Sequence, residues 1–428
     1  MLALRMPKGL RQPLMIAVSL LLFGSKFMPA EPSQLINALV QNSYEYRLAG
    51  NSGAGREVLR KAISESQFVL IGEAMHGTQE TARFSAAICA MAAQFNFHTM
   101  AIETGPIAAG NLRTWTSRPD RIEQLIRYTN LHPLSIPFYG WFEENDALAA
   151  CAQFLGSDTF QLWGLDQEFF GGVGPVLEHM LASNPAKELQ SEGVRLLTLD
   201  KLAIRNFRKS GSPYDLSLMS FSGAEFACLK GVVTASQNEY AKALLHSLIL
   251  SRNIYRKHSR GATYEANRER ALLMKLNFMS SYIEGGGNGP TPPKVILKFG
   301  DYHLYRGTNP LHSNEIGSLV SELAESRQLT SLHILVVPVR GMASQLAEKG
   351  ENITSKIFDL QHDADSDYLF LQLLFANQKV DAWTLFDLRA LRSHFAELGK
   401  MDEGLERVIF GYDLLLVIPN ASASHEAR

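Results

Sequence analysis

Glu73 and His76 stand three residues apart in the stretch Val69-Leu70-Ile71-Gly72-Glu73-Ala74-Met75-His76-Gly77-Thr78-Gln79-Glu80, where a short apolar run opens into a glycine-containing turn. A carboxylate and an imidazole so placed can work as an acid/base pair, because an imidazole titrates near working pH and a carboxylate can orient it and stabilise its charged form. Three more apolar runs end in ionisable residues. "HTMAI" (98–102) is followed by Glu103, "FQLWGL" (160–165) by Asp166, and "VILKF" (295–299) with Gly300 by Asp301 and His303. Glu73, His76, Glu103, Asp166 and His303 would suit metal-free proton transfer. If they converged, the same set would suit a divalent ion such as zinc, iron or manganese. The chain has no HExxH, CxxC, GxSxG or P-loop pattern, and "GGVGP" (171–175) is too loose for a nucleotide loop.

Positioning such residues requires strands that end together. Apolar runs at Phe68–Ile71, His98–Ile102, Phe160–Leu165, Val295–Phe299, His333–Val339, Trp383–Leu388 and Asp413–Ile418 alternate with helical patterns. This predicts an α/β fold, a largely parallel sheet with helices on both faces. In open parallel sheets ligands sit outside the carboxyl ends of the strands, which is where these ionisable residues fall. One helix is read from Gln79 to Phe95, with Phe84, Ile88, Met91 and Phe95 on one face. A second is read from Thr263 to Ile283, with Leu272, Leu276, Met279 and Ile283 as its apolar positions. Residues 171–290 read as a helical insertion covering one edge of the sheet, and "GGGNGPTPP" (285–293) leads back into it. Residues 341–367 are polar and read as a long loop with a little helix.

The turn after the first strand has its own logic. Gly72 would let the backbone leave the strand, and Gly77 would let it bend into the next helix. Thr78 is the expected N-cap. Glu80 suits the positive end of the helix dipole. It also lies one turn before Phe84 on the buried stripe, so it is expected to lean toward the pocket and bind substrate, as are Asp166 and Asp301.

Bulk properties exclude some classes. Net charge is −2 over 428 residues, with no Lys/Arg stripe interleaved with aromatics, so no nucleic-acid partner is expected. Arg5, Lys8 and Arg11 precede an apolar run from Leu14 to Phe23 that is too short to span a bilayer. Residues 1–30 therefore read as a signal peptide cleaved after Ala30, with an uncleaved anchor as the competitor. The expected location is periplasmic or secreted, with no stable membrane association after signal removal. Cys89, Cys151 and Cys228 allow one disulfide at most and read as three buried thiols.

Taken together, these residues resemble the erythromycin esterase family and its wider superfamily. The first family motif, G-E-x-x-H-G/F-x-x-E after a strand, is matched in full from Gly72 to Glu80. Glu103 corresponds to the glutamate closing the family's next strand. Trp141 with Gly164-Leu165-Asp166 resembles its "W…G-x-D" region, and Arg270, Met274 and Asn277 its R-x-x-x-M-x-x-N helix. Phe386-Asp387-Leu388-Arg389 resembles its "LDLR" stretch. Macrolide-cleaving members carry H-N-x-H after a later strand. Here Gly300-Asp301-Tyr302-His303 keeps the second histidine and has glycine for the first. The resemblance, spanning residues 31–428, implies a pocket rather than a macrolide substrate. Some relatives act in envelope polysaccharide synthesis, which gives a further possible setting.

The expected activity is hydrolysis of an ester or lactone in a small molecule, with no cofactor required. His76 would be general base, Glu73 or Glu103 would orient it, and His303 or Arg270 would stabilise the developing oxyanion. The alternative is an exported metal- or cofactor-binding protein without turnover, using the same residues as ligands.

Overall fold

The computed structural model describes residues 33–48, 52–183, 186–346, 353–363, 366–377, 382–393, 395 and 402–427. The proposed signal segment, residues 1–30, lies outside them. Among the described residues no helix is long and apolar enough to cross a membrane.

Among the described residues nine strands form one sheet: β1 (Ser43–Glu45), β2 (Phe68–Glu73), β3 (Phe97–Ile102), β4 (Gln161–Gly164), β5 (Lys294–Gly300), β6 (Ser331–Leu346), β7 (Ile353–Asp359), β8 (Thr384–Asp387) and β9 (Leu414–Ala421). Their order is β1-β8-β9-β6-β2-β5-β3-β4, with β7 paired to β6. From β9 to β4 every neighbour is parallel. The antiparallel pairs are β1/β8, β8/β9 and β6/β7. The expected α/β class with a largely parallel sheet is what the chain adopts.

β2 sits between β5 and β6 and all six of its residues are buried. This is why its sequence is a continuous apolar run rather than an alternating one. Its two faces feed two cores. Phe68 and Leu70 join Met274, Phe278 and Tyr282 of the helix Thr263–Glu284. Val69 and Ile71 join Phe84 and Ile88 of the helix Gln79–Ala92 and Leu148 of the helix Phe142–Phe154. Full burial of each such side chain stabilises by about 1.5–3 kcal/mol. Between β4 and β5 the chain is helical, and Val176, Leu196, Leu229, Leu245 and Leu248 build a separate apolar cluster.

Three local expectations are corrected. Residues 341–346 do not form a loop: they continue β6, which pairs with β7 from Arg340↔Asp359 to Leu346↔Ile353. This ribbon is polar because much of it is solvated, and it lacks the apolar run that marks a central strand. In the helix Thr263–Glu284, Leu272 and Leu276 are each 56% exposed and Ile283 is half exposed. The buried side is Ala271, Met274, Phe278 and Tyr282. Phe278 and Tyr282 stack on each other and both meet Phe68, with ring centroids at 6.1 and 5.7 Å from it, so the aromatic face, not the leucine face, turns inward. Finally, Cys89 and Cys151 are joined as a disulfide rather than left as thiols, and Cys228 is free and exposed.

The disulfide ties the helix Gln79–Ala92 to the helix Phe142–Phe154 across a sequence separation of 62 residues. Closing a loop of that length restricts the unfolded chain, so its loss should cost about 2–4 kcal/mol. Alkylation of the unfolded, unreduced protein should modify Cys228 alone. A Cys89→Ala/Cys151→Ala variant should melt several degrees lower in a thermal scan.

Candidate active site

The carboxyl ends of β2, β5, β3 and β4 lie side by side in that order. Above them is a cavity of about 550 Å³ lined by Glu73, His76, Glu103, Arg270, Gly300, Asp301 and His303, with Phe138, Phe169, Tyr255 and Tyr368 among its walls. The chain reaches this edge through glycines placed for space. A Cβ on Gly72 would lie 2.7 Å from the Tyr412 hydroxyl, and one on Gly77 (φ +75°) would lie 2.2 Å from the Ser344 carbonyl oxygen. The Tyr412 hydroxyl donates to the Asp301 carbonyl, and both residues pack close against Gly72 of β2. Gly72 lies inside β2, paired with Phe299 and Leu335, so it serves close packing rather than the turn, which Gly77 makes.

His76 is fixed on three sides. Its Nδ1 lies 2.6 Å from Glu73 Oε1, its ring stacks on Phe138 at 4.2 Å and 16°, and its Nε2 points to Glu103 Oε2 at 3.9 Å. The last distance is too long for a hydrogen bond, so Nε2 is left to the cavity. Glu73 also accepts from the buried Lys298 ammonium at 3.0 and 3.1 Å. Burial favours the neutral form of Glu73, but Lys298 and His76 outweigh it and hold the carboxyl below its usual range. An ionised Glu73 can only accept, which puts the proton on Nδ1 and the lone pair on Nε2. Burial opposes the imidazolium of His76, but Glu73 and then Glu103 prevail and raise its pKa above 6.5.

Glu103 is shared by several partners. Arg270 Nη2 donates to its Oε1 at 2.8 Å, the Gly300 amide to its Oε2 at 2.7 Å, and His303 Nε2 stands 3.5 Å from Oε1. His303 Nδ1 faces Glu315 Oε2 at 3.3 Å. Against burial and the charge of Arg270, these two carboxylates raise His303 to about 9, so it is an imidazolium at neutral pH. Against its burial, His303, His76 and Arg270 hold Glu103 well below the usual carboxylate range. A Cβ on Gly300 would come within 3.1 Å of His76 Nε2 and 3.4 Å of Glu103 Oε2. The glycine at this position thus leaves the face of His76 open.

Three residues expected to bind substrate are placed differently from one another. Asp301 lines the cavity, and its carboxyl accepts from the Tyr368 hydroxyl. Burial pushes its pKa up to about 7. Asp166 is fully buried and does not face the cavity. It grips Arg270 in a two-point ion pair, Nε–Oδ1 2.9 Å and Nη2–Oδ2 2.5 Å, which aims the guanidinium at Glu103. Glu80 lies outside the cavity: its Oε2 accepts from the Ser422 amide at 2.8 Å, and the Gln79 amide donates to the Ser422 carbonyl at 3.0 Å. The C-terminal segment covers this helix start. Thr78 occupies the N-cap position, but its hydroxyl bonds Thr81 instead of a helix amide.

Sequence reasoning missed Lys298, Glu144, Glu315, Phe138 and Tyr368. Lys298 carried a signal, since a lysine inside a buried strand is rare unless paired. The others sit on helices and loops with nothing local to mark them. Among the described residues no group of three or more His, Cys, Asp or Glu side chains is arranged to hold a metal ion. Glu73, Glu103 and Asp166 are instead engaged by Lys298 and Arg270.

The raised pKa of His303 has a thermodynamic consequence. Its folded value, about 9, exceeds the unfolded 6.5, so its pairing contributes fully below the unfolded value and is lost as pH rises through the folded one. Urea unfolding should show wild-type stability falling between these limits relative to His303→Asn, by up to about 3 kcal/mol.

No family model matches the chain, and no curated protein matches it by sequence. Solved structures do. A mutant of the erythromycin esterase EreC in its open conformation superimposes with a TM-score of 0.65 at 14% identity, covering 90% of this chain and 99% of that one. A succinoglycan biosynthesis protein gives 0.58 at 14% identity, with 92% and 98% covered. A protein from Bacillus cereus gives 0.60 at 15% identity, with 93% and 100% covered. The resemblance drawn from the sequence motifs is one that the fold bears out: this chain has the architecture of an erythromycin esterase over nearly its whole described length.

Proposed function

We propose that the protein is a hydrolase of an ester or lactone bond in a small molecule, with His76 as the general base. The observation that carries this is the Glu73–His76 pair, whose Nδ1 is committed to a buried carboxylate while its ring lines a cavity that His303 and Arg270 also line. Water positioned by Nε2 would lose a proton to it as the oxygen attacks the carbonyl carbon. The His303 imidazolium and the Arg270 guanidinium, which both line the cavity, would stabilise the charge that the carbonyl oxygen gains, a role typically contributing a few kcal/mol. Asp301 and Tyr368 would hold the leaving group or the rest of the substrate. The erythromycin esterase with the same fold supports a hydrolase at this level, while Gly300 and the small aromatic-walled cavity favour a substrate other than a macrolide.

We also propose that the protein is exported and works in the periplasm or outside the cell. The Cys89–Cys151 disulfide supports this, because such bonds persist in oxidising compartments.

The test is an ester and lactone screen of residues 31–428, with and without chelator, beside His76→Ala. Turnover should fall by about a thousandfold in the variant while its melting curve stays within a few degrees. Chelator should change nothing. Wild-type rates in His76→Ala would refute the mechanism. A stoichiometric metal lost in His76→Ala and His303→Ala would support the metal-binding alternative. The pH–rate profile should rise as His76 deprotonates above its usual pKa and fall as His303 deprotonates near pH 9.

A further inference from the structure

Lys298 belongs to no motif and does not line the cavity, yet it is only 2% exposed and touches the groups that orient His76. Register explains how it gets there. Ile71 pairs with Lys298 and Glu73 with Gly300, so Glu73 and Lys298 lie diagonally on one face of adjacent strands. The neighbours of Lys298 in β5, Leu297 and Phe299, belong to the core on the other face, as alternation requires. Its ammonium sits 3.0 Å from Glu73 Oε2 and 3.0 Å from Glu144 Oε2, with the Tyr139 ring 5.8 Å away. Glu144 enters from the helix Phe142–Phe154, which the disulfide ties to the helix that follows His76. Glu144 is 2% exposed, and its Oε1 has no hydrogen-bond partner among the described residues. Two buried carboxylates thus compete for one buried ammonium.

We propose that Lys298, backed by Glu144, is the positioning residue of this site: it holds Glu73 as a carboxylate, which keeps the His76 proton on Nδ1 and the Nε2 lone pair toward the cavity. Its effect on turnover rests on the hydrolase reading, but the charge arrangement is a property of the resting protein. Other charged groups also face the pair: Glu103 from the end of β3, Arg270 from the helix Thr263–Glu284, and Asp301 and His303 from the turn after β5. None of these contacts Glu73, which receives only His76 and Lys298 in ion pairs among the described residues.

The sign of the effect follows from charge alone. Taking a positive charge away from a proton-sharing pair raises the affinity of the pair for its proton, wherever the proton resides. Burial pushes the Glu144 carboxyl up to about 7, so above that pH Glu144 carries charge and neutralising it does the reverse, because Lys298 then acts on Glu73 undivided. Merely structural damage would not move the two variants in opposite directions. Ring-nitrogen NMR of the mature protein can follow this, with the His76 signals identified by their loss in His76→Asn. Lys298→Met should raise the His76 midpoint by about one pH unit, and Glu144→Gln should lower it by about half a unit. At neutral pH Lys298→Met should reduce kcat roughly tenfold to a hundredfold with KM within about twofold, since Lys298 lies outside the cavity. An unmoved or lowered midpoint in Lys298→Met overturns the proposal. Should that variant not fold, an unmoved or raised midpoint in Glu144→Gln overturns it equally. Shifts of the expected sign in a protein that hydrolyses no ester would keep the role of Lys298 and sink the hydrolase reading. Wild-type hydrolysis without the shifts would do the opposite.

Discussion

Glu103 is the carboxylate around which the rest of the site is arranged. It is buried at the end of β3, so its charge must be answered from within the protein. Arg270, His303 and the Gly300 amide do so, and each comes from a part of the chain more than a hundred residues away. Removing one partner from such a group typically costs about 3–5 kcal/mol, because the charge left behind has no water to turn to. That requirement reaches beyond the cavity. Arg270, Met274, Asn277 and Phe278 share one side of their helix. Arg270 grips Glu103 and Asp166, Asn277 donates to the Leu165 carbonyl, and Met274 and Phe278 enter the core. The face that turns inward is therefore the one that carries the arginine and the aromatics, and the leucines at 272 and 276 are left outside.

Beneath this layer lies a second one with a different task. His76 and His303 meet the cavity, whereas Lys298 and Glu144 are buried outside its lining, with Lys298 paired to both Glu73 and Glu144. The division follows from strand alternation. Glu73, Lys298 and Gly300 fall on one face of β2 and β5, so a buried ammonium, a bridging carboxylate and an open space for imidazole are stacked in a short column. Gly300 completes it by absence, because a side chain there would press on both His76 and Glu103.

The far side of the turn after β2 is closed by chain segments distant in sequence. The Ser344 and Ser424 amides both donate to the Gly77 carbonyl, and Ser422 takes up Glu80 and the Gln79 amide. The C-terminal segment and the extended part of β6 thus hold the turn after β2 from behind. They also explain why Glu80, matched in the motif and placed correctly on its helix, serves packing at the helix start and stays out of the cavity.

Local chemistry made much of this legible. Apolar runs without alternation announced strands buried on both faces. The glycine at 77 announced a tight turn, and the ionisable residues after each run announced a polar edge. These features depend on neighbours within a few residues, so the amino-acid order by itself determined the sheet, its parallel character and the position of Glu73, His76, Glu103 and His303 along it. What it did not contain was which distant groups would meet. The antiparallel ribbon after Gly341, the inward face of the helix Thr263–Glu284, the bond between Cys89 and Cys151, and the pairing of Lys298 with Glu73 and Glu144 are long-range outcomes. Each is decided by competition for burial and for charge partners among segments brought together only in the folded chain, and such competition leaves no local periodicity to read.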